Sequence, residues 1–411
     1  MMATPKTGKK PLTIALFGLG TFFGLSFPTP ALAVEFENDI HSLTVSTRAR
    51  LAQVEAKENA KSASILVRAS LESEWQQKLL TLLEIDHVEL GWEDEFDNGV
   101  NFNGKPVIPD VAGSDLNQAW LRYSVNNRLA LTLGREAVNL GNQRFVGTNS
   151  FWQNEQTLDG AQLKFDFASA SSLHYRYVAN ANRINGDDAT DNGTRPAQFL
   201  GDHKHQTHVV FAKFKEWDFS KLQAYYFNMD IEDANALSNE TLGIRYEHKG
   251  RINKLRTLGH AEFASQQRPK ANDDATLLYY SIGAGLGYRS NEISLKFETL
   301  GEDKGVAFVT PLASLHEHNG WADIFLLTPS YGLRDYSVKY IWRKNPFTID
   351  ARFHLFHAHK GSRTLGQELD IDLEYNLTKK DKILFRYADF KSKDGNLSDE
   401  KRLFLMYSHQ M

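Results

Sequence analysis

Eighteen stretches of alternating apolar and polar residues run through this chain, joined by gaps that are short and long in turn. They fall at 43–54, 63–74, 78–91, 116–125, 128–138, 159–167, 172–183, 205–216 and 221–231, then at 240–249, 255–265, 277–289, 293–301, 334–344, 347–358, 366–376, 382–392 and 401–410. Every second gap is tight: Asn126–Asn127, Ala168 to Ser171, Trp217 to Ser220, Ser290 to Glu292, Asn345–Pro346. The long gaps at 92–115, 139–158, 184–204 and 302–333 lie between them. In an up-and-down antiparallel sheet successive connections leave opposite ends, so the long ones share one end. That is the plan of an all-β transmembrane antiparallel barrel of about 18 strands, with short periplasmic turns and long outer loops.

The alternation has a period of two, the strand signal. Ala161, Leu163, Phe165 and Phe167 share one face and Gln162, Lys164 and Asp166 the other. Leu369, Ile371, Leu373 and Tyr375 oppose Asp370, Asp372 and Glu374 in the same way. A soluble sandwich also alternates, but stretches of nine to twelve residues suit a tilted membrane strand, and soluble strands are nearer five or six. The apolar faces also end in aromatics, among them Tyr123, Tyr177, Trp217, Tyr246, Tyr288, Tyr340, Trp342, Tyr375, Tyr387 and Tyr407. Such rings favour the membrane interface. The segments at 78–91, 205–216 and 221–231 mix their faces, so the even count is firmer than the number itself.

Residues 1–33 read as a cleaved signal peptide. Lys6, Lys9 and Lys10 precede an apolar core from Leu12 to Phe27, and Ala31-Leu32-Ala33 offers a cleavage site. The expected mature chain, 34–411, is a single barrel domain carrying 44 basic and 51 acidic residues, a formal charge of -7. No basic surplus points to nucleic acid. There is no cysteine, which excludes disulfides and thiol chemistry. After residue 33 no apolar run approaches twenty residues, so membrane spanning falls to strands whose backbone groups pair with one another. The expected location is the outer membrane of a Gram-negative cell, in contact with its lipid and lipopolysaccharide.

The polar faces carry Arg48, Arg50, Arg68, Arg122, Lys164, Arg176, Arg245, Lys296, Lys339, Arg343, Arg352 and Arg386, interleaved with acids such as Glu298, Asp335, Asp350 and Asp372. A charge facing lipid costs several kcal/mol, so this face is expected to line a wet lumen. The arginines either form a track for an anionic polymer or pair with the acids to rigidify the wall.

Two blocks of residues carry a family resemblance. One is Thr310-Pro311-Leu312, Asn319-Gly320-Trp321-Ala322-Asp323, Thr328-Pro329 and Gly332-Leu333. The other is Asp115 to Ala119, Leu133-Gly134-Arg135, Gly141 to Gly147, Trp152-Gln153-Asn154 and Thr157 to Gly160. Together they resemble the alginate export family. The resemblance implies an eighteen-stranded outer-membrane barrel that passes a polyuronate outward, and it adds Arg135 and Arg144 to the candidate path. A periplasmic partner that feeds the pore is consistent with such an exporter.

The gap 302–333 has no strand signal, yet holds Trp321, Phe325, Leu326 and Leu327, which suits packing against the wall or lumen. Trp152, Asn319, Trp321 and Asp323 are the candidate constriction residues of this gap and of 139–158, where Arg144 and Phe151 stand with Trp152. The alternative is ordinary loop packing. His203 with His205, His316 with His318, and His354, His357 and His359 cluster without a complete ligand set, so no metal or other cofactor is expected. Asp187, Asp188, Asp191 and Asn192 match no calcium loop and read as a solvated acidic loop. No G-x-S-x-G nucleophile elbow or phosphate loop is present.

Three functions remain. The first is passage of an anionic, alginate-like polysaccharide or related polar solute without a chemical step. The second is porin-like uptake of small polar solutes. The third is a hydrolase built on a barrel wall.

Overall fold

The computed structural model of the chain describes residues 13–16, 32–37, 40–168, 170–190, 197–217 and 219–410. The leader read at 1–33 falls largely outside these residues, as do Asp191 and Asn192 of the acidic loop.

Eighteen strands close into one antiparallel barrel. They are β1 (His41–Glu55), β2 (Asn59–Trp75), β3 (Leu79–Gly91), β4 (Gly113–Asn126), β5 (Leu129–Glu136), β6 (Thr157–Ala168), β7 (Ser171–Asn182), β8 (Asp202–Trp217) and β9 (Ser220–Met229). They continue as β10 (Asn239–Ile252), β11 (Leu255–Arg268), β12 (Asn272–Tyr288), β13 (Asn291–Leu300), β14 (Leu333–Lys344), β15 (Phe347–Ala358), β16 (Thr364–Asn376), β17 (Asp381–Ser392) and β18 (Glu400–Gln410). β18 pairs with β1 from Lys401↔Glu55 to Gln410↔Ser46, so no edge is left open. The closed ladder satisfies each strand's backbone groups between neighbours, the condition for crossing hydrocarbon with strands.

All eighteen expected segments are strands, including the three with mixed faces. Their ends differ in an instructive way. The segments expected to reach 138 and 231 stop at Glu136 and Met229. Val138 and Ile231 lie beyond, 7% and 0% exposed. Both are loop residues turned inward, and their apolar character mimicked one more strand position.

Alternation sorts the two faces. Leu242, Ile282 and Leu295 point outward and are 63%, 59% and 60% exposed. Arg50, Glu298 and Asp335 point inward and are buried. At the short-turn end, tyrosines on the outer face reach polar partners: Tyr340 Oη donates to Asn291 Oδ1 at 2.7 Å, Tyr407 Oη to Asp381 Oδ1 at 2.6 Å. A ring in lipid with its hydroxyl bonded at the rim is the interfacial role expected of them.

The short turns use side-chain caps. At the 127–128 turn, Asn126 Oδ1 accepts from the backbone N–H of Arg128 and Leu129 at 2.8 and 3.0 Å. Nearby, Gly134 sits at φ +122°, where a Cβ would lie 2.2 Å from the Ala119 carbonyl oxygen. Only glycine lets β4 and β5 approach that closely.

Leu295→Arg, in the middle of β13 on the outward face, is expected to cost about 2–4 kcal/mol of stability in bilayers. Guanidinium unfolding from phospholipid vesicles measures it, and an unchanged midpoint would mean that this face does not meet lipid.

Candidate functional site in the lumen

Two long outer connections, 137–156 and 301–332, turn back into the barrel and lock to one another. Gly147 N–H donates to the Leu312 carbonyl at 2.8 Å, and Ser314 N–H to the Gln143 carbonyl at 3.0 Å. Gln156 Nε2 donates to the carbonyls of Gly147 and Leu312 at 2.7 and 2.9 Å. Ser314 Oγ accepts from Asn149 N–H at 2.9 Å and donates to Gln143 Oε1 at 2.7 Å. A Cβ on Gly147 would lie 2.3 Å from Ser314 Oγ. Phe145 then plugs into Tyr225, Tyr279 and Phe308, with ring centroids 5.0, 5.4 and 6.0 Å away.

Charges on the wall hold this pair of loops. Arg144 Nε lies 3.2 Å from Glu298 Oε1, and its Nη2 donates to Asn319 Oδ1 at 2.8 Å. Asn319 Nδ2 donates in turn to Glu298 at 2.8 Å and Asp335 at 3.2 Å. The Asn319-Gly320 pair turns at φ 58° and 90°, which lets Ala322 N–H reach Glu368 Oε1 on β16 at 2.7 Å. A ladder of rings and cations follows. Arg352 lies 4.4 Å from the Trp321 ring, Arg386 3.8 Å from it and 4.4 Å from Phe151, and Arg50 4.7 Å from Phe151. Desolvated contacts of this kind are worth about 2 kcal/mol each. Arg386 also binds Asp372 through two bonds of 2.8 and 2.7 Å and donates to His316 Nε2 at 2.8 Å. His316 Nδ1 then donates to Asp323 at 2.8 Å, and Arg402 reaches the other Asp323 oxygen at 3.0 Å. Burial works against the Asp323 carboxylate, but His316 and Arg402 hold it below the usual carboxylate range.

The candidate cations divide clearly. Arg50 pairs with Asp110 at 2.7 Å, Arg68 with Asp86 at 2.6 Å and Glu155 at 2.8 Å, and Arg245 with Glu262 at 2.7 Å. Lys296 pairs with Glu298 at 3.1 Å, Lys339 and Arg352 with Asp350 at 3.0 and 3.1 Å, and Arg343 with Glu292 at 3.6 Å. Arg122 and Arg176 share Glu136, and Lys164 takes Asp166 at 3.0 Å. Among the described residues Arg48 has no acid within ion-pair distance; it holds the 137–156 loop, donating to Gln153 Oε1 and the Ser150 carbonyl at 2.8 Å each. Arg135 is the exception in placement. It lies across from Ala119 and shares the outward face of β5 with Leu133, so it does not line the lumen. It forms a two-bond bridge to Asp159, at 2.8 and 3.0 Å. Its place beside Gly134 in the sequence gave no hint of the face, because the glycine has no side chain to show it.

Trp152, Asn319 and Trp321 are buried, and the Asp323 side chain is 2% exposed. Sequence reasoning missed Asp110 and Arg402, supplied by a loop and by the last strand, and weighed His316 only as a metal ligand. Among the described residues no three metal-type ligands converge. Space remains on either side of the loops. Toward the short turns, a cavity of about 530 Å³ is lined by Arg122, Arg128, Lys164, His174, Arg176 and Lys213, with Glu136 and Asp166 as its acids. Toward the long loops, a space of about 140 Å³ is walled by Phe102, Trp152, Phe199, Leu326 and Leu327, with Arg183, Asp323 and Arg402.

With that geometry in view, comparison with known proteins adds the following. The profile described as alginate export matches residues 86–276, which include the 137–156 loop and stop short of 301–332. Among curated proteins none matches the sequence. Solved structures with the same fold include OccAB4 of Acinetobacter baumannii, at 12% identity and TM-score 0.70, covering 92% of this chain and 99% of that one. OpdK of Pseudomonas aeruginosa, solved with vanillate, matches at 12% identity and TM-score 0.68, covering 91% and 98%. OccK9 (OpdG) of the same organism matches at 15% and 0.68, covering 90% and 98%.

Gly320→Ala places a Cβ 2.3 Å from Glu368 Oε2 at a positive φ, so the 301–332 loop is expected to lift from the wall. Chymotrypsin added to the folded barrel should then cut this loop at least several-fold faster, and unchanged protection would contradict the anchoring. Acidification gives a second check. The depressed Asp323 value means its ion pairs are present above the ordinary carboxylate value near 3.9 and are lost only as pH falls through the lower folded value. Protease protection of the loop is expected to be the same at pH 7 and pH 5.

Proposed function

Because the chain is an outer-membrane β-barrel of the alginate export family, we propose that it is a channel through which an anionic, alginate-like polysaccharide or a related polar solute crosses the outer membrane. Residues 1–33 serve as the cleaved leader that exports it, and 34–411 form the channel. Passage involves no covalent step. The observation that carries this reading is the charged inner wall, interrupted by two inward-folded loops that leave space on both sides, polar and basic toward the short turns and mainly apolar toward the long loops. A wall on which most cations have a local acid partner binds a passing carboxylate weakly, and weak, repeated binding permits movement. The ring-and-cation ladder holds the loops in place. The exposed cations below it, Arg122 among them with a side chain 37% exposed, meet the solute.

A second reading, uptake or release of small polar solutes only, is favoured by the size of the inner cavity. About 530 Å³ falls within the volumes typical of sites for single small molecules. OpdK, a barrel of the same fold, was solved with the small carboxylate vanillate.

Planar-bilayer recordings of the purified barrel separate these readings. Trigalacturonate is expected to block ion current reversibly, with neutral maltotriose at the same concentration blocking several-fold less. Arg122→Ala is expected to weaken the block about 3- to 10-fold, the loss of about 1 kcal/mol of charge-assisted contact. Glu136 keeps its partner Arg176 in that variant, so the wall stays neutralised. A reconstituted barrel without ion conductance would end the channel reading. Block by monomeric galacturonate but never by the trimer would select the second one.

A further inference from the structure

The two ends of this barrel carry opposite charge. The nine outer connections, from 56–58 to 393–399, hold ten basic and nineteen acidic residues, whereas the eight turns at the other end hold six basic and one acidic. The inner face near the short turns extends this polarity. Arg128 and Lys213 line the cavity there, and Lys221 and Arg251 occupy the inward-facing positions of β9 and β10, in line with the buried Tyr225 and Arg245. Among the described residues none of these four cations has a carboxylate within salt-bridge distance, in contrast to the paired cations deeper in the lumen. Arg251 lies directly across from Arg256 in the β10–β11 ladder, and the charged neighbours of Lys213 are Lys164 and Lys221. Like charges set opposite each other destabilise a sheet, and the one acid across from this set, Glu247 opposite Lys221, is already engaged by Lys249 and Arg245, so local pairing does not account for the arc. Glu72 and Glu74 stand on β2, outside the arc and likewise without a basic partner among the described residues, and Glu35, Glu37 and Asp39 precede β1 in sequence. The mouth is thus divided into a basic arc over β5–β11 and an acidic side by β1–β2.

We infer that the basic arc at the short-turn mouth is a capture surface for a polyanionic solute, which it draws into the channel from the periplasmic side. This rests on the channel reading above and adds to it the end at which the solute is gathered. Orientation favours a solute over a docked protein. Lys213, Lys221 and Arg251 project along the inner face and not from the turn tips, so they are reached by a chain threading the mouth. Charge of one sign lining a low-dielectric opening raises the arrival rate of the opposite charge by roughly 10- to 1,000-fold. The acidic outer connections repel the same solute at the far end.

The test is single-channel recording in a planar bilayer, with orientation read from one-sided protease access to the outer loops. Trigalacturonate in 0.1 M KCl is expected to block with an association rate at least about tenfold higher from the periplasmic side than from the outer side. In 1 M KCl, where screening acts over about 3 Å, the two rates are expected to converge. Lys221→Gln with Arg251→Gln and Arg256→Gln should lower the periplasmic-side rate toward the outer one, while KCl conductance reports that the variant is inserted and open. A second variant, Glu93→Gln with Asp94→Gln and Glu95→Gln, should raise the outer-side rate instead. Equal rates from both sides at low salt, or an asymmetry untouched by either variant, would overturn the capture surface. Conductance without block from either side would also overturn it and leave the arc to an acidic periplasmic protein. Absence of conductance altogether would tell against the channel reading itself.

Discussion

A strand in hydrocarbon has no water to satisfy its peptide groups, and one open edge leaves a whole row of them unpaired. Closure of β18 on β1 removes that edge. Other features of the molecule follow from it. Closure fixes an inside and an outside, so the period-two alternation becomes a division between lipid and lumen. It also places consecutive connections at opposite ends, which collects the long loops at one mouth and the basic turns at the other. A one-residue slip in any strand would turn its charged face to lipid. The inward acids and arginines therefore specify register as firmly as the outward leucines do.

Burying so many charges needs an explanation of its own. An isolated buried ion is costly, and a pair is tolerated when its remaining hydrogen bonds are also met. Here strands supply most of the partners, and loops supply others. Arg50 finds Asp110 and Arg386 finds His316, both on loops, and Glu298 on β13 takes Arg144 from another loop. The wall would hold uncompensated charge without these loops, and the loops would have no reason to enter the lumen without the wall. The Trp321 and Phe151 rings serve the same end, since each is flanked by two guanidinium groups that lose water on being covered. Loop and barrel are one folding unit in this sense, though the loops carry little regular structure.

How much of this was visible beforehand depended on the range of the interaction. Strand positions and faces were legible because a period of two is a local signal, and the mixed faces of 78–91 and 205–216 did not obscure it. The inward set from Arg48 to Arg386 was legible for the same reason. What alternation does not carry is pairing across the lumen. Nothing near Arg402 in the sequence points to Asp323, and nothing near His316 points to Arg386, because those contacts arise only when a loop folds back over strands far along the chain. Val138 and Ile231 misled because a buried loop anchor and a strand residue look alike one position at a time. Arg135 was misplaced for a related reason: it sits where β5 approaches the outer rim, and there a charge on the outward face meets headgroups and Asp159 instead of hydrocarbon.

Selectivity in such a molecule is a question of where charge is left over. Deep in the lumen most cations are matched to acids at hydrogen-bond distance and Arg48 to loop oxygens, and a matched pair offers a passing carboxylate little beyond exchange of partners. Surplus charge gathers at the ends, basic by the short turns and acidic among the long connections. The middle of the channel is therefore built to narrow the path without holding the solute, and the ends decide which solute approaches and from which side. This division of labour lets the ladder of rings and arginines remain rigid. A constriction that also had to bind tightly would need free cations there, and free cations at that depth would destabilise the loops whose folding creates the constriction.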